Sequence, residues 1–325
     1  MEYVKLGNTG LDVSKICLGC MSFGDATKWI HSWVLDEPET RKIIKKALDL
    51  GVNFFDTANV YSLGTSEEFL GRALKDYASR DEIVIATKIS GAMHKGPNGE
   101  GLSRKAILAE VEACLNRLGV DYIDLLYIHR WDYNTPIEET MQALNDVVRK
   151  GKVHYLGASS MYAWQFQKAQ YTAKRNGWTT FSVMQGHYNL LYREEEREMN
   201  PLCKDMGVAL VPYSPLAAGR LTRNWDSSSK RFKEDTVAQY KYDSTKDVDQ
   251  LIVERVATIA EKYGITKSQV SVAWLWAKGV CSPVVGITKE KYLDDFVDAI
   301  NVKLSKEDID YLEELYIPHK IVGHN

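Results

Sequence analysis

Gly51-Val52-Asn53-Phe54-Phe55-Asp56-Thr57-Ala58-Asn59-Val60-Tyr61 is the stretch whose reading decides the fold. Val52 to Phe55 is a short apolar run, which reads as a buried strand. It ends in Asp56, and the loop that follows carries Tyr61. A carboxylate and a phenol at the carboxyl end of a buried parallel strand stand where barrels and open α/β sheets keep their active sites. Taken alone, the stretch is equally satisfied by a capping Asp and a core Tyr.

Two later strand ends tip the balance. Ile83-Val84-Ile85-Ala86-Thr87 reads as a strand ending in Lys88, and Ile123 to Ile128 as one ending in His129. Three strands thus deliver Asp56, Lys88 and His129 to one end of a sheet, with Tyr61 just beyond. A buried ammonium is costly without a partner, and Asp56 can be that partner. The expected consequence is a Tyr61 pKa drawn below its usual value of about 10 by the neighbouring cation, making the phenol a usable general acid.

This set resembles the tetrad of the aldo-keto reductases, and the resemblance covers nearly the whole chain. It includes Leu18-Gly19-Cys20-Met21-Ser22-Phe23-Gly24, Ser66-Glu67-Glu68 before Leu70-Gly71, and Arg117-Leu118-Gly119 before Asp121-Tyr122 and Asp124. It continues through Gly157-Ala158-Ser159-Ser160, Gln185 with Tyr188-Asn189, and Tyr213-Ser214-Pro215-Leu216. His129-Arg130-Trp131-Asp132-Tyr133-Asn134 and Tyr192-Arg193-Glu194-Glu195-Glu196-Arg197 look like the bacterial YajO-type branch. One departure lies beside the tetrad: relatives often read Tyr-Gly-x-Gly where this chain has Tyr61-Ser62-Leu63-Gly64.

The rest of the chain fits an α/β fold, a (β/α)8 TIM barrel with an N-terminal hairpin and a long loop after strand 7. Gly7, Asn8 and Gly10 punctuate a small hairpin over residues 2–14. Ile16 to Leu18, Val153 to Gly157, Phe181 to Gln185, Val208 to Tyr213 and Val284 to Gly286 complete eight short apolar strands. Helices are expected at Glu39–Leu50, from an N-cap at Ser66 to Lys75, and from a cap at Ser103 over Arg104–Leu118. Others are expected at Ile137–Lys150, Tyr162–Asn176, Glu194–Lys204, Asp249–Tyr263, Lys267–Lys278, Glu290–Ile300 and Lys306–Leu315. No stretch reads as a linker, so residues 1–325 form one domain. The polar excursion Gly219 to Asp249 is expected to be a loop. Its Arg220, Arg223, Lys230, Arg231 and Lys233, with Trp225 and the hinge Ser227-Ser228-Ser229, suggest a lid over the cofactor. The irregular tail after Pro318 is expected to reach toward the substrate mouth.

The cofactor must be inferred through the resemblance, because the chain has no G-x-G-x-x-G after a strand. Tyr242-x-x-x-Lys246 and Tyr263-x-x-x-Lys267 match a short-chain dehydrogenase spacing by chance. The resemblance implies NADP(H) laid across the carboxyl ends of the strands, near Gly19 and Met21. Ser159, Ser160 and Gln185 would bind the carboxamide, and Tyr213 would stack under the nicotinamide. Ser214, Leu216, Gly219 and Leu221 would line the pyrophosphate. Gly286, Thr288 and Lys289, with Asp295 on the next helix, would seat the 2′-phosphate and adenosine. Tyr292 and Phe296 replace residues common in relatives, which leaves the preference for NADP over NAD open.

Length, charge and cysteine content bound the rest. The chain has 325 residues, 45% of them hydrophobic and 26% charged, the balance of an ordinary globular protein. A net charge of −3 argues against nucleic acid as a partner. No apolar run reaches the roughly 18 residues of a membrane span, and the start lacks a signal-peptide pattern, so the cytoplasm is expected. Five cysteines make no disulfide framework, and no paired ligand motif suggests a metal. Cys17 and Cys20 are formally C-x-x-C, but on a strand they point to opposite faces.

The activity implied is NADPH-dependent reduction of a small aldehyde, with ketones or phosphosugar carbonyls as further candidates. Trp29, Trp33, Tyr61, Trp131 and Trp225 are candidate pocket aromatics, and Arg130 is a candidate for a substrate carboxylate or phosphate. Two rivals share the barrel: a nucleotide-binding module like the potassium-channel β-subunits, and an enzyme that rearranges sugar phosphates.

Overall fold

Strand alternation sorts the apolar residues of this chain into two cores. Cys17, Phe54, Val84, Ala86, Leu125, Tyr127, Val183, Val211 and Val284 form one buried cluster. Leu18, Phe55, Ile85, Leu126, Ile128, Leu156, Met184 and Val285 belong to another. Successive strand residues face opposite sides. The first set is therefore the inside of a closed sheet, and the second is the layer between sheet and helices. Cys17 and Cys20 fall in different cores, as their spacing requires.

The computed structural model describes residues 1–223 and 234–324. Strands β1 (Tyr3–Lys5) and β2 (Asp12–Ser14) pair antiparallel. The barrel strands are β3 (Cys17–Gly19), β4 (Phe54–Asp56), β5 (Val84–Ile89), β6 (Ile123–Ile128), β7 (Val153–Ser159), β8 (Phe181–Gln185), β9 (Ala209–Leu210) and β10 (Val284–Gly286). They run parallel in chain order, and β10 pairs with β3. The ring closes where Val284 N donates to Pro212 O at 2.9 Å and Cys281 N to Leu210 O at 2.9 Å. This is the expected barrel. The seventh barrel strand is shorter than the run Val208 to Tyr213. Pro212 has no N–H to give a ladder, so Tyr213 contributes only isolated bridges to His187 and Val284.

The hairpin closes the amino end. Leu6 and Val13 join the interior cluster. Asn8 N donates to Gly207 O, and Asn53 Nδ2 to Asp12 O, just before β9 and β4 begin.

Several helices differ from expectation for reasons local to their ends. The first runs Glu37–Asp49, because Asp36 accepts from Glu39 N and Pro38 suits an opening turn. Ser66 is not an N-cap. The helix Thr65–Tyr77 opens from Gly64, at φ 91°, while Ser66 Oγ donates to Cys20 O and bonds Thr57 Oγ1. Ser103 caps Arg104–Leu118 as expected. The single helix expected over Glu194–Lys204 is instead a 3-10 turn, Glu194–Glu196, followed by Met199–Met206. Pro201 is tolerated only in a first turn, so it forces the restart.

The excursion after β9 is not wholly irregular. Asp235 caps a short helix, Thr236–Tyr242, and the next runs Lys246–Tyr263, three residues earlier than expected. Residues 224–233 lie outside the described residues, and with them Trp225, Ser227, Ser228, Ser229, Lys230, Arg231 and Lys233, on which the lid reading rested. Arg220, which that reading aimed at a phosphate, is buried and pairs with Asp243 at 2.7 Å. Among the described residues, no helix is long and apolar enough to cross a membrane.

Candidate active site

Alternation that builds the barrel interior also builds the site. Asp56, Lys88, His129, Ser159, Gln185 and Tyr213 each stand two residues beyond an interior position: Phe54, Ala86, Tyr127, Gly157, Val183 and Val211. They therefore form the next layer toward the carboxyl ends of the strands, where barrel enzymes work. Gly157 matters to that layer, because a Cβ there would lie 2.4 Å from the Tyr127 ring. Tyr127 in turn lies under the Lys88 ammonium, 5.7 Å from its ring centre.

Lys88 is the hub. Its fully buried ammonium donates to Asp56 Oδ1, to Thr57 O at 2.8 Å and to Tyr61 Oη at 3.4 Å. The second Asp56 oxygen accepts from Gln185 Nε2 at 2.9 Å. Tyr61 comes from the loop after β4, in a 3-10 turn that Ser62 and Leu63 complete at φ 47° and 48°. The Tyr61 ring stands edge-on to His129, centroids 5.9 Å apart, and to Trp29 at 6.0 Å. The four residues read from the sequence are together.

Their electrostatics correct one expectation. The Tyr61 pKa is raised above its usual 10, because burial outweighs the pull of Lys88 and Asp56 opposes that pull. Burial works against the Lys88 ammonium, but Asp56 and Tyr61 raise it above the usual lysine value. Burial first, then the charges of Arg130 and Lys88, hold His129 well below the ordinary histidine value. Near neutral pH the site thus holds a protonated phenol, an ammonium and a neutral imidazole.

The residues assigned to the nicotinamide end also converge. Ser159 Oγ donates to Gln185 O at 2.9 Å, and Ser160 Oγ, on a residue at φ 47°, donates to Tyr213 Oη at 3.3 Å. Ser214 to Gly219 form a turn with positive φ at Ser214, Ala217, Ala218 and Gly219. The amides of Ala217, Gly219 and Leu221 donate within this turn. Among the described residues, a Cβ at Gly219 or Gly286 would meet nothing closer than 3.9 Å, so backbone there leaves room for a ligand. At Gly19, by contrast, it would meet Val284 Cγ1 at 2.7 Å, so that glycine serves strand packing; Met21 follows, half-buried. Thr288 is half-buried and Lys289 exposed just before the helix Lys291–Asp298, whose start has no side-chain cap. Asp295 lies on that helix, its carboxyl pushed up by burial and by Asp298 and Asp294. A donor set of amides, hydroxyls and one exposed lysine along β7 to β10 fits a phosphate-bearing dinucleotide.

Substrate candidates are more scattered. Trp29 touches Tyr61. Trp33 is half-buried beside His31, ring centroids 4.9 Å apart. Arg130 Nη1 donates to His129 O at 2.6 Å. Trp131 packs near Trp164 at 6.1 Å, an exposed ring on the helix Ala163–Asn176 that the sequence did not single out. Trp225 lies outside the described residues.

One further group was missed. His187 stands two residues beyond Gln185, on the same face of the chain, and strand alternation extended past β8 finds it. The carboxyl-terminal tail folds back over the site's rim. His319 Nε2 lies 3.0 Å from Asp249, Val322 N donates to Tyr192 Oη, and His324 Nε2 lies 3.0 Å from Glu195. Gly323, at φ 88°, sits where a Cβ would be 3.1 Å from Tyr213 Oη. The tail is expected to reach toward the substrate mouth, but nothing local in its sequence announces these particular contacts.

A parallel eight-stranded barrel with Asp, Lys, His and a loop Tyr gathered at the carboxyl ends of neighbouring strands defines a class of barrel oxidoreductases. The family model described as "Aldo/keto reductase family" matches residues 15–317, and the chain belongs to that family. It is 45% identical to a versiconal hemiacetal acetate reductase of Aspergillus parasiticus, over 99% of this chain and 98% of the relative. It is 43% identical to an aldo-keto reductase of Metarhizium robertsii, covering 100% and 94%. A putative aryl-alcohol dehydrogenase of Schizosaccharomyces pombe is 44% identical, covering 99% and 97%. These relatives are fungal, so the narrower likeness to the bacterial YajO-type branch rests on its two motifs alone.

Proposed function

We propose that the protein reduces aldehydes, and by extension ketones or phosphosugar carbonyls, to alcohols with NADPH. The observation that carries this reading is the Lys88 ammonium bound at once to Asp56 and Tyr61, with His129 against the same phenol. When bound, the nicotinamide supplies the hydride. Tyr61, kept protonated by its surroundings, gives its proton to the carbonyl oxygen. Lys88 stabilises the phenolate left behind, and Asp56 holds Lys88 in place. His129, as a neutral imidazole, donates a hydrogen bond to the same oxygen as negative charge develops there.

Gln185, Ser159 and Ser160 would hold the carboxamide, and Tyr213 would support the nicotinamide. Gln185 uses one N–H on Asp56 and so ties the carboxamide to the tetrad. Ser214, Leu216, Gly219 and Leu221 shape the turn that would hold the pyrophosphate, where the amides of Leu216 and Ala218 have no backbone partner among the described residues. Gly286, Thr288 and Lys289 would seat the 2′-phosphate, with Gly19, Met21 and Asp295 bordering the groove. Trp29, Trp33, Trp131 and Arg130 border the carbonyl substrate. The relatives' names, a reductase and a putative aryl-alcohol dehydrogenase, agree with interconversion of carbonyls and alcohols.

The test is Tyr61→Phe. NADPH binding should stay near wild type while kcat for an aromatic aldehyde falls at least about 100-fold, the scale of a lost proton donor. Wild-type turnover would sink the assignment.

A further inference from the structure

Tyr213 has an unusual support. It lies outside a regular strand, held by single bridges to His187 and Val284. Its ring lies parallel to the His187 imidazole, centroids 5.2 Å apart and planes 7° from each other. His187 lies parallel to Tyr192 in turn, at 4.2 Å and 18°. The result is a three-ring stack with the imidazole in the middle.

The imidazole is fixed from a third direction. His187 Nε2 lies 2.7 Å from the Tyr242 hydroxyl. That hydroxyl accepts from Asn189 Nδ2 at 3.1 Å, and the same amide donates to Ser214 O at 2.9 Å. The Asn189 amide also lies 3.4 Å from His187 Nε2, so the imidazole, the phenol and the amide form one buried hydrogen-bonded cluster. His187, Asn189, Tyr192 and Tyr242 are all at most 1% exposed. Tyr242 ends the helix Thr236–Tyr242, and Lys241 beside it puts its ammonium 4.7 Å from the Tyr213 ring centre. Burial and the charges of Lys241, His324 and His319 keep the imidazole neutral.

We propose that His187, anchored by Tyr242, is a positioning residue that sets the depth and tilt of Tyr213 and so the placement of the nicotinamide. The inference rests on the reading that Tyr213 carries the nicotinamide. An imidazole does here what a purely apolar ring cannot: it stacks between two rings and also shares a hydrogen bond through its ring nitrogen. Through it, the helix Thr236–Tyr242, which the hydrogen bond ties to β8's end, fixes a ring at the centre of the site.

The experiment compares two ligands that differ in the nicotinamide alone, NADPH and 2′-phospho-ADP-ribose. Their affinities are measured by calorimetry for His187→Ala, His187→Phe, Tyr242→Phe and Tyr213→Ala, and hydride transfer is followed in single turnovers. His187→Ala should weaken NADPH about tenfold, the scale of one aromatic stack, and leave 2′-phospho-ADP-ribose within about twofold. His187→Phe restores the stack without the anchor, so NADPH affinity should recover while hydride transfer stays several-fold slow. Tyr242→Phe keeps the shape and should slow hydride transfer by a similar factor; it decides the question should His187→Ala fail to fold. Wild-type affinity ratios and wild-type hydride transfer in the His187 and Tyr242 variants overturn the inference. Tyr213→Ala separates the two readings. A selective loss of NADPH there, with none at His187, leaves the platform standing and removes only its support. No selective loss at Tyr213 itself removes the platform, and the inference with it.

Discussion

The Lys88 ammonium stands 3.4 Å from the Tyr61 hydroxyl and yet leaves the phenol protonated. Burial of the phenol is the main reason that proximity does not ionise Tyr61, and Asp56 adds to it by binding the same ammonium and offsetting part of its charge. On the proposed mechanism, Lys88 then stabilises a phenolate that forms only during the reaction.

A pH profile follows from these directions. Tyr61 is raised above 10 and His129 lies well below 6.5, so neither titrates in the intervening range. We expect kcat/KM for aldehyde reduction to be flat between about pH 7 and 9, with loss only on the alkaline side as Tyr61 ionises. A bell centred near neutrality in a rapid-mixing assay would show that another group supplies the proton.

Lys289 is exposed at the start of the helix Lys291–Asp298, with no ion pair among the described residues. Lys289→Ala should weaken NADPH by about 1–3 kcal/mol, as expected for a charge-assisted contact, and NADH much less. Equal losses for the two cofactors in a fluorescence titration would move the 2′-phosphate elsewhere.

Gly157 is expected to tolerate no side chain. A methyl there meets the Tyr127 ring at 2.4 Å, and a buried ring beneath Lys88 has nowhere to go. Gly157→Ala should cost about 1–3 kcal/mol of stability, the range for overpacking a core, and reduce turnover by displacing Lys88. Urea unfolding checks the first part. An unchanged midpoint would mean that the barrel interior has slack.

The tail's attachment should depend on pH. Burial opposes a charge on His319, but its hydrogen bond and charge interaction with Asp249, and the nearby Glu194, raise its pKa above the usual 6.5. Because the folded value is raised, the stability it contributes is fully present below the unfolded pKa. It is lost as pH rises through the folded pKa. The melting-temperature difference between wild type and His319→Gln should therefore shrink from about pH 5.5 to pH 8.5. A difference constant over that range would mean that His319 holds the tail by shape alone.

The sequence by itself determined the barrel and the tetrad. Both depend on period-two alternation and short apolar runs, which are local: Phe54 and Asp56, or Ala86 and Lys88, share a face because they are two residues apart. Helix ends were legible where one side chain caps its own turn, as at Ser103. They were not legible where a distant group claims the cap, as Cys20 O does with Ser66. Only the tertiary structure decided the sign of the Tyr61 shift, because burial and two opposing charges compete there and their balance depends on three-dimensional distances. It also brought His187 between Tyr192 and Tyr213, and laid Gly323 beside Tyr213 from the far end of the chain. Contacts between residues 53 or 110 positions apart leave no periodic trace in the sequence. They exist because barrel closure brings the ends of the sheet, and everything attached to them, to one rim.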